Sequence, residues 1–169
     1  HAKTLGYTPI SSTAAKATID VTLNNTTRST ATMPAGTAFS TSIDDVTYQF
    51  VTIADVTKSN TGAGIPFTNI DIYEGTYVTT RYTVDSSDVD QRFILPDNRS
   101  DTSTLTVKVQ TSSADTTTTT YTKATDITQL SKTSEVYFLQ EVEVGKFEVY
   151  FGDGVVSKAL TNGNIVILS

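Results

Sequence analysis

The chain has no cysteine, so neither a disulfide nor a thiolate metal site can be built from it. The absence suits a reducing cytoplasm and leaves a cysteine-free secreted β-domain open. The single histidine is His1; without a second His or any Cys, a His-activated nucleophile and a zinc site both lack their parts. Basic residues are outnumbered 12 to 18, giving a net charge of −6 and a pI near 4.6. Nucleic acid is held by clustered Lys and Arg that displace counterions, and this balance argues against it and against an anionic membrane surface. No apolar run approaches the ~20 residues of a bilayer-spanning helix, and the first residues lack a charged segment followed by an apolar one. No repeat of fixed period is present.

Threonine is abundant instead, roughly a fifth of the residues, which favours pleated, half-buried strands and works against long helices. At 169 residues the chain is long enough for one domain or two small lobes that bury about two-thirds of the unfolded surface. The clearest strand has Ala15, Ala17, Ile19, Val21 and Leu23 alternating with Lys16, Thr18, Asp20 and Thr22, which places the apolar side chains on one face. It breaks at Asn24 and Asn25. Pro34, Ala35 and Gly36 predict a type I turn with Gly36 in the left-handed region, closing a short hairpin. Residues 46–53 become apolar on both faces toward their end and suit the middle of a sandwich.

Residues 58–64 are loop by composition. Residues 67–73 and 76–84 read as an antiparallel pair turning at Glu74 and Gly75. The acidic stretch 85–90 is a solvated connection and the boundary between lobes. Beyond it, residues 92–95 form a short strand stopped by Pro96, and Leu105, Val107 and Val109 mark a one-faced strand. The Thr-rich tract 111–125 contains five consecutive threonines at 116–120, which suit an exposed edge strand. Residues 136–144 and 147–151 form a hairpin around Gly145, residues 163–168 form the last strand, and residues 148–158 with 161–168 read as a hairpin-like unit whose centre is Phe151-Gly152-Asp153-Gly154. Ala2, Leu5, Gly6, Tyr7 and Pro9 have the order of a helix C-terminus; with no Met at position 1, this gives the expectation of a fragment beginning where a helix ends. The expected fold is mainly β: antiparallel, sandwich-like lobes over 1–84 and 85–169, or one sandwich with an insertion at 85–135, after a short N-terminal helix remnant.

Few residues invite chemistry. Asp153, between Gly152 and Gly154, has the form of a carboxylate that bonds nearby amides in a turn, with both glycines expected at positive φ. Asp85, Asp88 and Asp90 lack the central Gly and closing Glu of a calcium loop. Glu135, Glu141, Glu143 and Glu148 lie on strands; a glycosidase pair would have to face across roughly 5–9 Å, whereas alternation with Val142 and Val144 makes them the polar side of a strand. Asn24, Asn25 and Asn98 begin N-x-Ser/Thr triplets, as chance supplies in a Thr-rich chain. Gly62 and Gly64 are followed by no phosphate-gripping Lys. Tyr73, Tyr77 and Tyr82 could stack on sugar rings if exposed, which makes a carbohydrate-binding or adhesin-like sandwich the alternative function.

Several words do resemble a family. Phe151-Gly152-Asp153-Gly154, followed by Gly163, Asn164 and Ile165, is similar to the FGDG…GN.I segment of the baseplate-J-like wedge proteins of contractile-tailed phages, especially the T-even-type wedge subunit. Residues 1–9 (HAKTLGYTP) resemble that family's A..LGY.P, and Pro34-Ala35-Gly36-Thr37-Ala38-Phe39 its PAGT.F. Residues 48–52, 103–109 and 134–141 fit its later strands. Ser157 departs from it, since many relatives carry Gly there, and the tract 111–125 has no counterpart. The resemblance implies a non-enzymatic structural component of the baseplate wedge, without cofactor or metal. It also implies made-in-host, virion-resident subunits that contact copies of themselves and other wedge proteins, act in tail assembly and pass on the contraction signal. Phe151, Gly152, Asp153, Gly154, Pro34 and Gly36 are its structural motif residues.

Overall fold

The structure is a computed structural model and describes residues 10–143 and 145–169. The expected helix remnant lies outside the described residues, as does Val144, the expected end of one strand. The described chain divides into two compact units, Ala14–Val78 and Thr79–Ser169, the latter together with residues 10–13. The fold is mainly β, in curled sheets that form half-barrel and near-barrel lobes.

In Ala14–Val78 the strands are β1 (Lys16–Leu23), β2 (Thr30–Met33), β3 (Ala38–Ile43), β4 (Val46–Val51), β5 (Val56–Ser59) and β6 (Ile65–Glu74). They form one sheet in the order β1-β6-β4-β3 and a β2-β5 ribbon. The period-2 pattern of β1 turns Ala17, Ile19 and Val21 onto a core of Met33, Ile65, Phe67, Ile70 and Ile72, while Leu23, at the strand end, is 44% exposed. β6 shows how the sequence keeps that core continuous. Ile65 and Phe67 are buried at odd positions, Ile70 and Ile72 at even ones. A register shift against β1 between Ile19 and Val21 absorbs the extra residue. Asn69 takes φ 55 there, and its N–H donates to Asp20 Oδ1 at 2.7 Å. The bulge brings both runs to the same face.

Two expectations are corrected in this unit. Pro34–Gly36 does not close a hairpin: β2 pairs with β5 and β3 with β4, so the turn is a corner midway along one long, bent hairpin. Thr37 N–H donates to Pro34 O at 3.2 Å. That puts Gly36, φ +80, at the third turn position, as a type II turn requires, instead of type I. The hairpin tip lies at Asp44 and Asp45, φ 48 and 63, a two-residue type I′ loop that matches strand twist. Residues 67–73 and 76–84 do not pair with each other either; β6 pairs with β1 and β4.

The second unit contains β7 (Thr80–Thr83), β8 (Phe93–Ile94), β9 (Val107–Gln110), β10 (Thr118–Lys123), β11 (Val136–Glu143), β12 (Lys146–Tyr150) and β13 (Ile165–Leu168), with a 3₁₀ turn at Ile127–Gln129. Its sheet order is β7-β13-β9-β10-β11-β12-β8. The hairpin around Gly145 forms as expected, Phe138 to Glu141 facing Tyr150 to Phe147. Gly145 has φ +74, and a Cβ there would meet Asn98 O at 2.7 Å. The threonine tract is no edge. β10 is interior, antiparallel to β9 and parallel to β11 through Thr122 and Lys123; its hydroxyl-bearing side chains satisfy a half-exposed pleat while Tyr121, 4% exposed, supplies the core contact. Because β7 pairs with β13, residues 80–83 sit with this unit, and the acidic stretch 85–90 is an internal connection from β7 to β8.

Those two strands are the sheet's ends, and they meet. Tyr82 on β7 and Phe93 on β8 stack edge to face at 5.7 Å, and Tyr82 OH donates to Ile94 O. The sheet has therefore curled almost into a barrel around Val107, Phe147, Val149, Val166 and Leu168, each at most 1% exposed. The two end strands are joined by these side-chain contacts and not by a ladder, so each keeps one hydrogen-bonded neighbour.

Candidate functional site

The Phe-Gly-Asp-Gly word begins as β12 ends and turns the chain away from the sheet. It is not the centre of a hairpin, as its sequence suggested: β12 pairs with β11 and β8, β13 with β7 and β9. Residues 151–164 cross from one side of the near-barrel to the other. Phe151 points back inward and joins Phe93 at 5.7 Å and Tyr121 at 5.5 Å, both edge to face. Together with the Tyr82–Phe93 contact, this makes an aromatic chain from β7 through β8 and the corner to β10, the geometry in which ring edges meet ring faces.

The two glycines do different jobs. Gly154 has φ +86 and room for a side chain, with only Ala159 Cβ near, at 3.6 Å; its need is torsional. Gly152 is not at positive φ. A Cβ on Gly152 would lie 2.0 Å from Ser157 Oγ, 2.7 Å from Ser157 O and 2.9 Å from Ser157 C, so its need is steric. Ser157 closes the turn by accepting from Gly154 N–H at 2.9 Å. It is fully buried, and its hydroxyl has no hydrogen-bond partner among the described residues. Sequence reasoning noted Ser157 only as a departure; its partnership with Gly152 spans five positions and carries no local signal.

Asp153 is a turn residue in this geometry. Its Oδ1 accepts from Val155 N–H at 2.9 Å and Val156 N–H at 3.4 Å, and those amides, Val155 first, hold its carboxyl below the ordinary range. The same device recurs through the unit. Asp85, Asp88, Asp97, Asp101, Asp115, Asp126 and Asp153 each accept from the amide two residues on. These are Asx-turns, and at Asp85, Asp101 and Asp126 a Ser or Thr hydroxyl two residues on adds a second bond at 2.6 Å. Much of the chain's acidity thus organises loops.

The strand glutamates are engaged separately. Glu148 is 6% exposed and receives Arg92 Nε at 3.0 Å, Arg92 Nη2 at 2.7 Å and Gln140 Nε2 at 3.0 Å; the guanidinium is the main reason its carboxyl is held low. Glu135 pairs with Lys158 at 2.7 Å and Glu143 with Lys146 at 3.8 Å, and Glu141 accepts Gly145 N–H at 2.9 Å. The β11–β12 register shifts between Glu141 and Glu143, so simple alternation does not place them on one face. Among the described residues no three His, Cys, Asp or Glu converge on a metal-sized point. The three tyrosines considered for sugar stacking are each engaged within the fold: Tyr82 with Phe93 and Ile94, Tyr77 against Gly36, and Tyr73 beneath Lys16 Nζ at 5.8 Å.

In Ala14–Val78, Pro34 and Gly36 hold the other corner. Pro34 O accepts from Thr37 Oγ1 at 2.7 Å and Thr52 Oγ1 at 2.8 Å, and Asp55 Oδ1 accepts Ala35 N–H at 2.8 Å. A Cβ on Gly36 would press on Tyr77 Cδ1 at 3.2 Å. Both motif segments are therefore architectural corners, each fixed by a buried or half-buried hydroxyl residue several positions away.

Compared with protein-family models, residues 77–167 match the bacteriophage baseplate wedge protein gp6, third domain. The chain belongs to this family. The gp6-domain match covers more than half of the chain and runs with the near-barrel, from just before β7 into β13. Both Phe151–Ser157 and the Arg92–Glu148–Gln140 cluster lie inside it, whereas Pro34 and Gly36 precede it. Comparison with curated proteins gives no match.

Proposed function

We propose that this chain is a structural component of the baseplate wedge of a contractile-tailed phage, related to the baseplate-J-like proteins, and that it acts in tail assembly and in transmitting the contraction signal. The role is non-enzymatic, the place is the virion tail after synthesis in the host cytoplasm, and the partners are copies of itself and other wedge proteins, with no nucleic acid or membrane. The observation that carries the reading is the gp6 third-domain match over 77–167, coextensive with a unit whose acidic and aromatic side chains are engaged in turns, ion pairs and packing. A rigid, nearly closed barrel suits a part that must hold its shape while its neighbours move, because interfaces between stiff bodies switch between discrete arrangements. In the domain division proposed with it, the C-terminal lobe is the wedge-family domain, with Pro34 and Gly36 shaping the lobe before it.

The test is immunogold electron microscopy of tails from the parent phage, with antibody raised against residues 77–167. Label confined to the baseplate in extended and contracted tails is expected. Label on the capsid, on fibres, or on no particle would overturn the proposal.

A further inference from the structure

An asparagine loses its side-chain amide most readily when glycine follows it, because the next peptide nitrogen is then unhindered and free to rotate. Of Asn24, Asn25, Asn60, Asn69, Asn98, Asn162 and Asn164, only Asn162 precedes a glycine. It is exposed and lies late in the crossing from β12 to β13, where that crossing is tied to the chain leaving β7. Val84 N–H donates to Asn164 O at 2.8 Å and Gly163 N–H to Val84 O at 2.9 Å.

The local geometry keeps the reacting groups apart. Asn164 N–H donates to Thr161 O at 3.0 Å, Gly163 has φ +83, and Asn162 is not at positive φ, which together define a type II turn over residues 161–164. Attack by Gly163 N on Asn162 Cγ needs the peptide between them rotated until its nitrogen eclipses Asn162 Cβ, and a type II turn holds that peptide rotated away. Gly163 N–H is also committed to Val84 O, which opposes its deprotonation, and Ser86 N–H pins Asn162 Oδ1 at 3.0 Å. Asn164 locks the turn from its other side: its Oδ1 accepts from Thr161 N–H and Thr161 Oγ1, both at 2.9 Å, and its Nδ2 donates to Thr111 O at 2.8 Å.

From this we propose that Asn162 is a site of spontaneous deamidation whose rate is set by local opening of the turn 161–164. In the opened turn a base removes the Gly163 amide proton, the nitrogen bonds to Asn162 Cγ, and the Cγ–Nδ2 bond breaks with release of ammonia, leaving a cyclic succinimide. Water then opens the ring. Addition at Cγ gives aspartate; addition at the former backbone carbonyl carbon gives isoaspartate, with no change of oxidation state in either case. The rate follows the population of the open turn, as other reactions of transiently opened segments do. The two products differ in what they do to the fold. Aspartate keeps the backbone path and an acceptor for Ser86 N–H. Isoaspartate routes the chain through Cβ and lengthens a turn whose closing bonds set where β13 begins, and β13 supplies Val166 and Leu168, at most 1% exposed, to the core.

Peptide mapping by mass spectrometry of the 169-residue chain held at mildly alkaline pH tests it, with isoaspartyl methyltransferase as the probe for isoaspartate. In urea Asn162 should be the first asparagine to react; in buffer its reaction should be at least about tenfold slower. Asn164→Ala, which unlocks the turn, should speed the reaction in buffer several-fold with circular dichroism unchanged. Val149→Ala, which loosens the core away from the turn, should leave it within about twofold. After removal of urea, the isoaspartate-containing chain should unfold at a lower urea midpoint than the parent, whereas Asn162→Asp should keep the parent's midpoint. Equal rates in buffer and urea, another asparagine reacting first in urea, Val149→Ala accelerating the reaction as much as Asn164→Ala, or an isoaspartate-containing chain with an unchanged midpoint would overturn the proposal.

Discussion

Gly152→Ala should be among the most damaging small substitutions in the chain, and the reason is testable because it is steric. The added Cβ would sit 2.0 Å from Ser157 Oγ and 2.7 Å from Ser157 O, where a relaxed contact needs about 3.4 Å or more. The hydroxyl could be removed, but the carbonyl is tied to Gly154 N–H and moves only if the turn opens. Overpacking of this kind costs about 1–3 kcal/mol, and two clashes on one residue put Gly152→Ala at the upper end. Ser157→Ala alone removes a buried hydroxyl that has no partner among the described residues, an unfavourable burial of about 1–3 kcal/mol, offset by a small loss of packing, so it should be neutral or slightly stabilising. The double variant Gly152→Ala/Ser157→Ala loses the Oγ clash and keeps the carbonyl one. It should recover about half of the loss, a coupling within the 0.5–3 kcal/mol seen for touching residues. Urea unfolding followed by tyrosine fluorescence measures all four species. A Gly152→Ala cost under about 0.5 kcal/mol, or strict additivity in the double variant, would refute the reasoning.

The neighbouring glycine should behave differently: Gly154, at φ +86, should tolerate Asn, which visits the left-handed region, and lose more than about 1 kcal/mol with Val. Asp153→Asn keeps the acceptor for Val155 N–H and should cost less than about 1 kcal/mol; equal, negligible effects of Gly154→Val and Asp153→Asn in the same urea assay would contradict the turn. Phe151→Ala removes the middle ring of the Phe93–Phe151–Tyr121 contacts and should cost about 2–3 kcal/mol, below the full value for a buried Phe because Phe151 is only half-buried; an unchanged denaturation midpoint would show that the corner packs otherwise. Acid should destabilise the fold. The carboxyls of Asp85, Asp97, Asp115, Asp126 and Asp153 are held low mainly by hydroxyls and amides two residues on, and that of Glu148 mainly by Arg92. Their contribution is complete above the unfolded values of about 3.9–4.3 and disappears as pH falls through the lowered folded values. Melting temperature should be level near pH 6 and fall below about pH 4; a rise on acidification through that window would refute the assignment.

Period-2 patterning made strands 16–23 and 105–110 and the hairpin around Gly145 legible, because one buried face imposes alternation regardless of what lies beside it. The bulge in β6 was also written in the sequence. Ile65 and Phe67 keep odd phase and Ile70 and Ile72 even phase, with Thr68 and Asn69 between, and only an inserted residue puts all four in one core. Asp44 and Asp45 gave a weaker sign of their turn, since Asp lacks the glycine that usually marks a type I′ loop. The glycines of the Phe-Gly-Asp-Gly word were visible as a corner, but composition could not tell the torsional need of Gly154 from the steric need of Gly152. That distinction depends on where Ser157 returns.

Neighbour choice was the part the sequence did not carry, and the reason is physical. Alternation states that a segment is extended and which of its faces is buried; it says nothing about which strand lies alongside. Adjacent segments pair most often, which is why 67–73 and 76–84 looked like a hairpin, and why a hydroxyl-rich tract looked like an edge. In the near-barrel the order is set instead by closure. Once Tyr82 and Phe93 bring the two end strands together, every strand between them has two neighbours, and β10 becomes interior although its threonines would tolerate solvent. The chain must then cross from β12 to β13 through residues 151–164, and a crossing that leaves a sheet end and returns beneath it needs a corner with no side chain on its inner side. Gly152 occupies that position with Ser157 against it. The Phe-Gly-Asp-Gly corner thus follows from the sheet's closure, which fixes where the chain must leave β12 and where Ser157 must return against Gly152.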